Sequence, residues 1–560
     1  MTEPPETAAF VDPEHLLEAG PSGFVRNLER LLQHLGYEGV LNVDGPGDKG
    51  ADIYATRNDE QWIIQAKWKQ SSSVGKDAVT EVSRAMLFYG ANRGAVVTNR
   101  DFTSGAKFEQ ERVEGLGQQV TLWPGEALVD LSKDSDFFRK SLSAPDHRPY
   151  QVEAFGALRH DLGSRGRALL VLATGLGKTV VAGEVLAWFL RENPDVQVLL
   201  LANRIDLVHQ LERAIWRHLD PSVRTQVLHG QERPNALTGV TLATVQSAVS
   251  YVESGYRPGL VIVDEAHNVT PDGDYAKLLD LTTDALQLGV TATPWRADGY
   301  NIEARFGEAS YKMGIADGIK MGYLADVDYR LFLDTVNWEE VRSLSSNNYS
   351  IRELNTKLFM PQIDENIRDH LLEVWNTTIN PRAIVFCQTI EHAERMKEFL
   401  RGVGDWALTE TVHANLTKRD RRLNLLKFRN GDIPLLTAVD ILNEGVDIPD
   451  VNILCFARVT HSRKVFVQQL GRGVRLNPAK NKEKVTVLDF VTDIRRLKAV
   501  TDLDAAFETG HDTEVLHVPG PGNVTFIEHP EVGGFLRRWI EDVANLDSER
   551  DQARLDFPSI

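Results

Sequence analysis

The run Leu172-Ala173-Thr174-Gly175-Leu176-Gly177-Lys178-Thr179 decides how this chain folds. It follows a short apolar stretch, Ala168 to Leu172, that reads as a buried strand. It opens a second stretch, Val180 to Leu190, that lacks proline and is apolar on most faces. Strand, glycine loop and helix start, in that order, are the setting a phosphate-binding loop needs. Gly175 and Gly177 let the backbone curl, so that successive N–H groups from Thr174 through Gly177 point inward at an anion, Leu176 included. The helix beginning at Lys178 adds the positive end of its dipole. Lys178 then reaches β- and γ-phosphates, and the Thr179 hydroxyl holds Mg²⁺. Leu172 stands where the general pattern has its first glycine, so a plain strand-to-helix turn with a solvated lysine remains the bland alternative at this point.

Downstream, apolar strands alternate with amphipathic helices. Val198 to Ala202, Val240 to Thr244, Leu260 to Val263 and Leu288 to Thr291 read as strands of a parallel, doubly wound sheet whose ligands sit at the strands' carboxyl ends. The third of them runs into Asp264-Glu265-Ala266-His267. An Asp after a buried strand holds Mg²⁺ through water, and the next Glu orients the hydrolytic water. Thr291-Ala292-Thr293-Pro294 ends the fourth strand with hydroxyls close to the same place.

A second α/β unit starts near Asp326, with strands at Ala383 to Cys387, Pro434 to Thr437, Val451 to Phe456 and Val485 to Leu488. It has no phosphate loop of its own. It carries Glu444-Gly445-Val446-Asp447-Ile448-Pro449 and Gln468-Gln469-Leu470-Gly471-Arg472-Gly473-Val474-Arg475. Arg472 and Arg475 share one helix face. Such a pair is usually solvated, but an arginine aimed at a γ-phosphate from a neighbouring domain is worth about 10³–10⁵ in rate. Upstream of the loop stands Gln151, whose amide offers the donor and acceptor that adenine's Hoogsteen edge matches.

Taken in order, Gln151, the Gly175–Thr179 loop, Asp264–His267, Thr291–Pro294, Glu444–Pro449 and Gln468–Arg475 resemble the motifs of a DEAD/DEAH-type superfamily two helicase or translocase, over roughly residues 145–495. The resemblance implies two RecA-like domains with ATP in their cleft and nucleic acid across both upper faces. By that match Thr174 to Thr179 and Asp264 bind ATP and Mg²⁺, Glu265 drives hydrolysis and Arg472 and Arg475 are the fingers. Gln151 reads adenine, while His267, Thr291, Thr293, Gly445, Asp447 and Gln468 couple hydrolysis to nucleic-acid grip. The wording of the blocks is more similar to restriction-enzyme motors and bacterial repair helicases than to RNA-remodelling proteins. Such motors mostly track double-stranded DNA without fully separating it.

At the other end, Phe24, Val25, Leu28, Leu31, Leu32 and Leu35 fall at helical spacing before Gly36. A glycine-rich turn, Gly45 to Gly50, precedes two strand-like runs, Ala51 to Ala55 and Gln61 to Trp68, joined by Asn58-Asp59-Glu60 as a hairpin. Alternation puts Gln65 and Lys67 on one face, and pairing across the turn brings Asp52 beside them. Such a trio suits metal-assisted phosphodiester cleavage: Asp52 holds Mg²⁺, the Gln65 carbonyl assists and Lys67 steadies or deprotonates water. On chemistry alone, a Gln and a Lys on a solvated strand face are commonplace. The fuller set, Gly45, Gly47, Asp48, Gly50, Asp52, Gln65-Ala66-Lys67, Val74-Gly75 and Phe102-Thr103 with Ala106, resembles the Mrr-type restriction endonuclease domain, a PD-(D/E)xK nuclease fold, over residues 20–130. That likeness implies DNA cleavage by Asp52, Gln65 and Lys67. The family often has a glutamate after the first-helix phenylalanine; Val25 stands there, and Glu29, one turn on, is the candidate substitute.

The expected organisation is a mobile leader to residue 20, the nuclease-like domain over 21–130, a linker over 131–147, RecA-like domains over 148–324 and 325–500, and an accessory segment over 501–560. At 560 residues, 42% hydrophobic and 25% charged, the composition is that of ordinary globular domains. A net charge of −18 argues against electrostatic coating of nucleic acid, though not against local grip. Cys387 and Cys455 are the only cysteines, which excludes a disulfide framework and points to a reducing cytoplasm. No membrane span or signal is expected. Together these readings give a DNA translocase with a tethered endonuclease for restriction or antiphage defence, with a second copy or defence and modification subunits as candidate partners. The rivals are a repair helicase whose N-terminal domain only binds DNA, and an ATP switch that senses DNA ends.

Overall fold

The computed structural model describes residues 8–43, 50–132, 147–234, 237–292, 301–332, 348–350, 364–439, 451–457, 484–490, 524–527 and 554–556. The chain divides into two compact units, residues 1–167 with 179–264 and 271–288, and residues 168–178 with 265–270 and 289–560.

The N-terminal domain begins earlier than its sequence suggests. Asp12 caps helix α1 (Pro13–Glu18) by accepting from the N–H groups of Glu14 and His15, with Pro13 at the first turn. Helix α2 (Gly20–His34) follows. Ala8, Phe10, Val11 and Leu16, expected in a leader, are buried against Phe24, Leu28, Leu31 and Leu32 of that helix. Each of the larger side chains withdrawn from water here contributes about 1.5–3 kcal/mol.

Helix α2 covers a five-stranded sheet of β1 (Glu38–Asn42), β2 (Ile53–Arg57), β3 (Glu60–Lys67), β4 (Arg93–Thr98) and β5 (Gln119–Trp123), in that order. The anticipated hairpin is present: β2 and β3 pair antiparallel from Ile53↔Ile64 to Arg57↔Glu60. Its two-residue loop puts Asn58 at φ 52° and Asp59 at φ 62°, the left-handed pair that matches strand twist. From β3 onward the strands run parallel. Helices α3 (Lys76–Tyr89) and α4 (Ser104–Glu114) make those crossovers, and α5 (Gly125–Ser132) follows β5.

After helix α6 (Pro149–Arg165), a seven-stranded sheet forms in the order β12-β6-β11-β10-β7-β9-β8. Its strands are β6 (Arg167–Leu172), β7 (Val198–Ala202), β8 (Thr225–Leu228), β9 (Val240–Thr244), β10 (Leu260–Asp264), β11 (Leu286–Thr291) and β12 (Tyr311–Met313). β7 and β9 are buried at every position, the mark of a parallel strand covered on both faces. Helix α7 (Lys178–Glu192) opens directly after the glycine loop, and α8 (Ile205–Ile215) follows β7. The edge strands β8 and β12 went unread in the sequence because each has only three or four residues.

The second sheet runs β16-β17-β15-β18-β19-β13-β20, where β13 is Asp326–Phe332, β15 Ala383–Cys387, β16 Glu410–Val412, β17 Leu435–Ala438, β18 Ile453–Ala457, β19 Lys484–Phe490 and β20 Val524–Ile527. Two described strands from beyond residue 500 pair with earlier ones. β20 adds in parallel to β13, Tyr329 facing Val524, and β21 (Arg554–Asp556) pairs antiparallel with β14 (Asn348–Ser350). The expected amphipathic helix from Phe535 to Leu546 lies outside the described residues.

Candidate active sites

The glycine loop has the backbone its sequence calls for. Gly175 lies at φ 92° and Gly177 at φ 84°, a region side chains other than glycine rarely enter. Leu172, which replaces the pattern's first glycine, is the last, buried residue of β6, where the register pairs it with Met313. Leu176 turns its side chain into the core, and its N–H donates to Ala173 O at 3.2 Å instead of pointing into the loop as expected. Lys178 and Thr179 are the first two residues of α7.

Lys178 Nζ lies 3.6 Å from Glu265 Oε1, with both side chains largely buried. The loop lysine and the second acid of the Asp264–His267 block are therefore neighbours although 87 positions apart. Asp264 closes β10. Glu265 adopts φ 50°, ψ 52°. Among the described residues the other non-glycine positions with positive φ are Asn58, Asp59 and Asn380, types that tolerate it. A glutamate held there costs on the order of 1–3 kcal/mol, and such strain concentrates at functional sites. Glu265 Oε2 lies 3.3 Å from His267 Nδ1, and that nitrogen is 3.0 Å from Thr291 Oγ1, where both His267 and Thr291 are buried. Lysine, acid, imidazole and hydroxyl thus form a continuous chain.

Gln151 is buried in α6, where its Oε1 accepts from Arg148 N at 3.0 Å and caps the helix. Thr293, Gly445, Asp447, Gln468, Arg472 and Arg475 lie outside the described residues.

In the N-terminal domain the anticipated trio converges. Asp52 N donates to Ile64 O, and Asp52 Oδ2 accepts from Ala66 N at 2.6 Å, the residue between Gln65 and Lys67. The Gln65 amide is 4% exposed, and oriented with its oxygen toward Lys67 it accepts from Nζ at 3.0 Å. A fourth residue, unread in the sequence, joins them: Glu81 of α3 takes Lys67 Nζ at 2.7 Å. Nothing in the sequence separates Glu81 from the other acids of its helix; only the packing of α3 across β3 selects it. Oxygen donors of this kind suit a hard divalent cation.

Glu29 does not belong to that group. Its fully buried carboxylate accepts from Arg213 of α8, Nε at 2.6 Å and Nη2 at 3.2 Å. Arg26 forks onto Glu232, with its Nε 3.2 Å from Glu212. Arg30 donates to Val223 O and Asp220 O, with its guanidinium over the Phe10 ring. Burial pushes Arg30 down to about 9 and raises the Glu212 carboxyl, the latter opposed by Arg26 and the Thr225 hydroxyl. Burial pulls the Arg213 guanidinium down, but Glu29 and, secondarily, Glu212 turn the net shift upward. The nuclease-like domain is thus clasped onto residues 205–234, rather than held by its linker alone. Arg26, Glu29 and Arg30 sit at i, i+3 and i+4, a spacing that reads equally as a solvated stripe.

Comparison with known proteins finds three family matches along the chain. Residues 16–132 match the family described as restriction endonuclease, 145–296 the type III restriction enzyme res subunit, and 364–477 the helicase conserved C-terminal domain. The type I restriction enzyme EcoAI endonuclease subunit of Escherichia coli is 26% identical over 70% of this chain and 51% of its own length. The putative mitochondrial ATP-dependent helicase irc3 of Schizosaccharomyces pombe is 28% identical over 63% of this chain and 59% of its own. The chain thus spans between half and three-fifths of these relatives. A solved structure titled ATP-dependent type ISP restriction-modification enzyme LlaBIII bound to DNA shares the fold, at a TM-score of 0.52 and 17% identity, over 95% of this chain and 42% of the other. The chain therefore contains a restriction-endonuclease domain followed by helicase-type RecA-like domains, which imply ATP and a divalent metal. No described helix is long and apolar enough to cross a membrane.

Proposed function

We propose that this chain, which joins a restriction-endonuclease domain to the domains of a superfamily two motor, is an ATP-driven translocase on double-stranded DNA that also cleaves it with Mg²⁺. Its setting would be restriction or antiphage defence in the cytoplasm, with a second copy or modification subunits as partners. The observation that carries this reading is the placement of Lys178 within 3.6 Å of a backbone-strained Glu265 beside a glycine loop at positive φ.

Backbone N–H groups of Thr174, Gly175 and Gly177 cradle the phosphates, the Leu176 N–H being given to Ala173 O, and Lys178 neutralises the β- and γ-oxygens. In doing so Lys178 exchanges Glu265 for phosphate and frees that carboxylate to orient water. Thr179 and Asp264 hold the nucleotide's Mg²⁺, and Arg472 and Arg475 complete the charge balance. Strain at Glu265 is transmitted through His267 to Thr291, at the end of β11, which couples hydrolysis to grip on DNA. In the other domain Asp52, with the Gln65 carbonyl, holds a divalent cation, which supplies charge stabilisation for the phosphodiester. Lys67 positions the attacking water.

The test uses supercoiled plasmid, ATP and Mg²⁺. Lys178→Ala should lose DNA-stimulated ATP hydrolysis, and Lys67→Ala should lose cleavage while hydrolysing ATP. Full ATPase in Lys178→Ala rejects the motor. Cleavage that survives Lys67→Ala rejects the nuclease centre, and a wild type that hydrolyses ATP but never cuts favours a repair helicase with a DNA-binding domain.

A further inference from the structure

We propose that Glu81 is the second carboxylate of the nuclease cation site and takes the place of the glutamate that the first long helix lacks. The inference rests on reading Asp52, Gln65 and Lys67 as that centre. Asp52 and a neutral Gln65 bring one negative charge, which is little for a divalent ion. Val25 is apolar and packs against the domain core, and Glu29 is committed to Arg213, so neither supplies another.

Glu81 does. Besides its contact with Lys67, its Oε2 lies 3.2 Å from one terminal atom of the Gln65 amide, and that same atom is 2.7 Å from Gly50 O. With nitrogen in that position, the amide donates to both oxygens. With the amide rotated, its oxygen joins the Glu81 carboxylate and the Gly50 carbonyl as three hard donors around one point. Gln65 can thus present either end, according to whether the charge facing it is Lys67 or a metal ion.

Gly50 makes the approach possible. It lies at φ 90°, and a Cβ there would stand 2.6 Å from Glu81 Cβ and 3.0 Å from Gln65 Oε1. A surface ion pair alone accounts for Lys67 and Glu81, which are 29% and 42% exposed. It does not account for a buried amide held between that carboxylate and a left-handed glycine. Among the described residues no three His, Cys, Asp or Glu side chains converge. A cation here therefore relies on two carboxylates plus amide and main-chain oxygens, a mixture Mg²⁺, Mn²⁺ and Ca²⁺ accept.

The experiment measures Ca²⁺ binding to the full chain by calorimetry without nucleotide, and the Mn²⁺ midpoint of plasmid cleavage. It compares wild type, Glu81→Gln, Glu81→Asp and Asp52→Asn. Glu81→Gln keeps the hydrogen bonds to Lys67 and Gln65, and thermal melting checks that it folds. Both Glu81→Gln and Asp52→Asn should weaken Ca²⁺ by roughly tenfold or more. The Mn²⁺ midpoint of Glu81→Gln should rise by a similar factor, with partial recovery in Glu81→Asp. Unchanged binding and midpoint in Glu81→Gln, with Asp52→Asn impaired, overturns the role of Glu81 and leaves the nuclease reading standing. A wild type that neither binds Ca²⁺ nor cleaves overturns both.

Discussion

Arg213 of the motor segment forks onto Glu29 of the nuclease domain's long helix, at 2.6 and 3.2 Å, with the glutamate side chain fully buried. Two charges taken from water in this way are held by each other. Removing one strands its partner, which costs about 3–5 kcal/mol, whereas replacing both with apolar groups is often neutral. Glu29→Ala and Arg213→Ala should each lower the denaturant midpoint markedly, and Glu29→Leu with Arg213→Met should recover most of the loss. Additive effects in the double variant would mean that the two side chains do not interact.

The same clasp makes a mechanical prediction. A protease site engineered between residues 132 and 147 should yield two fragments that co-elute in gel filtration. They should stay together at 1 M salt, because buried pairs are screened far less than exposed ones. Separation at moderate salt would leave the linker as the main connection.

Glu265 links backbone strain to chemistry. Glu265→Gly relieves the φ of 50°, so its stability should stay within about 1 kcal/mol of wild type. Its ATPase should nevertheless fall by about 10²–10⁴, the usual worth of a positioned acid–base group. Glu265→Gln should bind nucleotide and turn over as slowly. Rapid turnover in either variant places the water-orienting group elsewhere.

His267→Ala breaks the connection from Glu265 to Thr291 without touching the loop lysine. Basal hydrolysis should persist while stimulation by duplex DNA drops. Equal loss of both rates would make His267 part of the hydrolytic step instead.

A buried imidazole, His34, and a half-buried one, His15, set a pH response. Burial, reinforced by Arg30, lowers His34 to about 3, and burial with Arg224 lowers His15 to about 4, from 6.5. Between those values and 6.5 the unfolded chain binds protons that the folded one does not. Stability is therefore complete above pH 6.5 and declines on acidification, by at most about 1.4 kcal/mol per unit for each imidazole. The urea midpoint should drop between pH 7 and 5, and less so in His34→Gln. An identical slope in that variant would remove His34 from the account.

Much of this was legible along the chain. Gly175 and Gly177 announce a left-handed curl because few other residues enter it, and the strands at 198–202, 240–244 and 383–387 announce a covered parallel sheet by being apolar throughout. Gln65 and Lys67 could be set on one face, with Asp52 across the turn, because strand period and the hairpin at 58–60 decide which side chains are neighbours. These are local rules, and local sequence states them.

The sequence by itself determined the glycine loop ahead of α7 and the hairpin that carries Gln65 and Lys67. Tertiary structure decided the rest. It joined Glu81 to that trio, buried Phe10 and Leu16, and turned the charged stripe of Arg26, Glu29 and Arg30 into a clasp with Glu212, Arg213 and Glu232. An amphipathic helix looks the same whether its charged face meets water or opposite charges from a segment nearly two hundred residues away, about 184 positions for Glu29 and Arg213. Periodicity records which face a residue occupies, and only packing decides what that face meets.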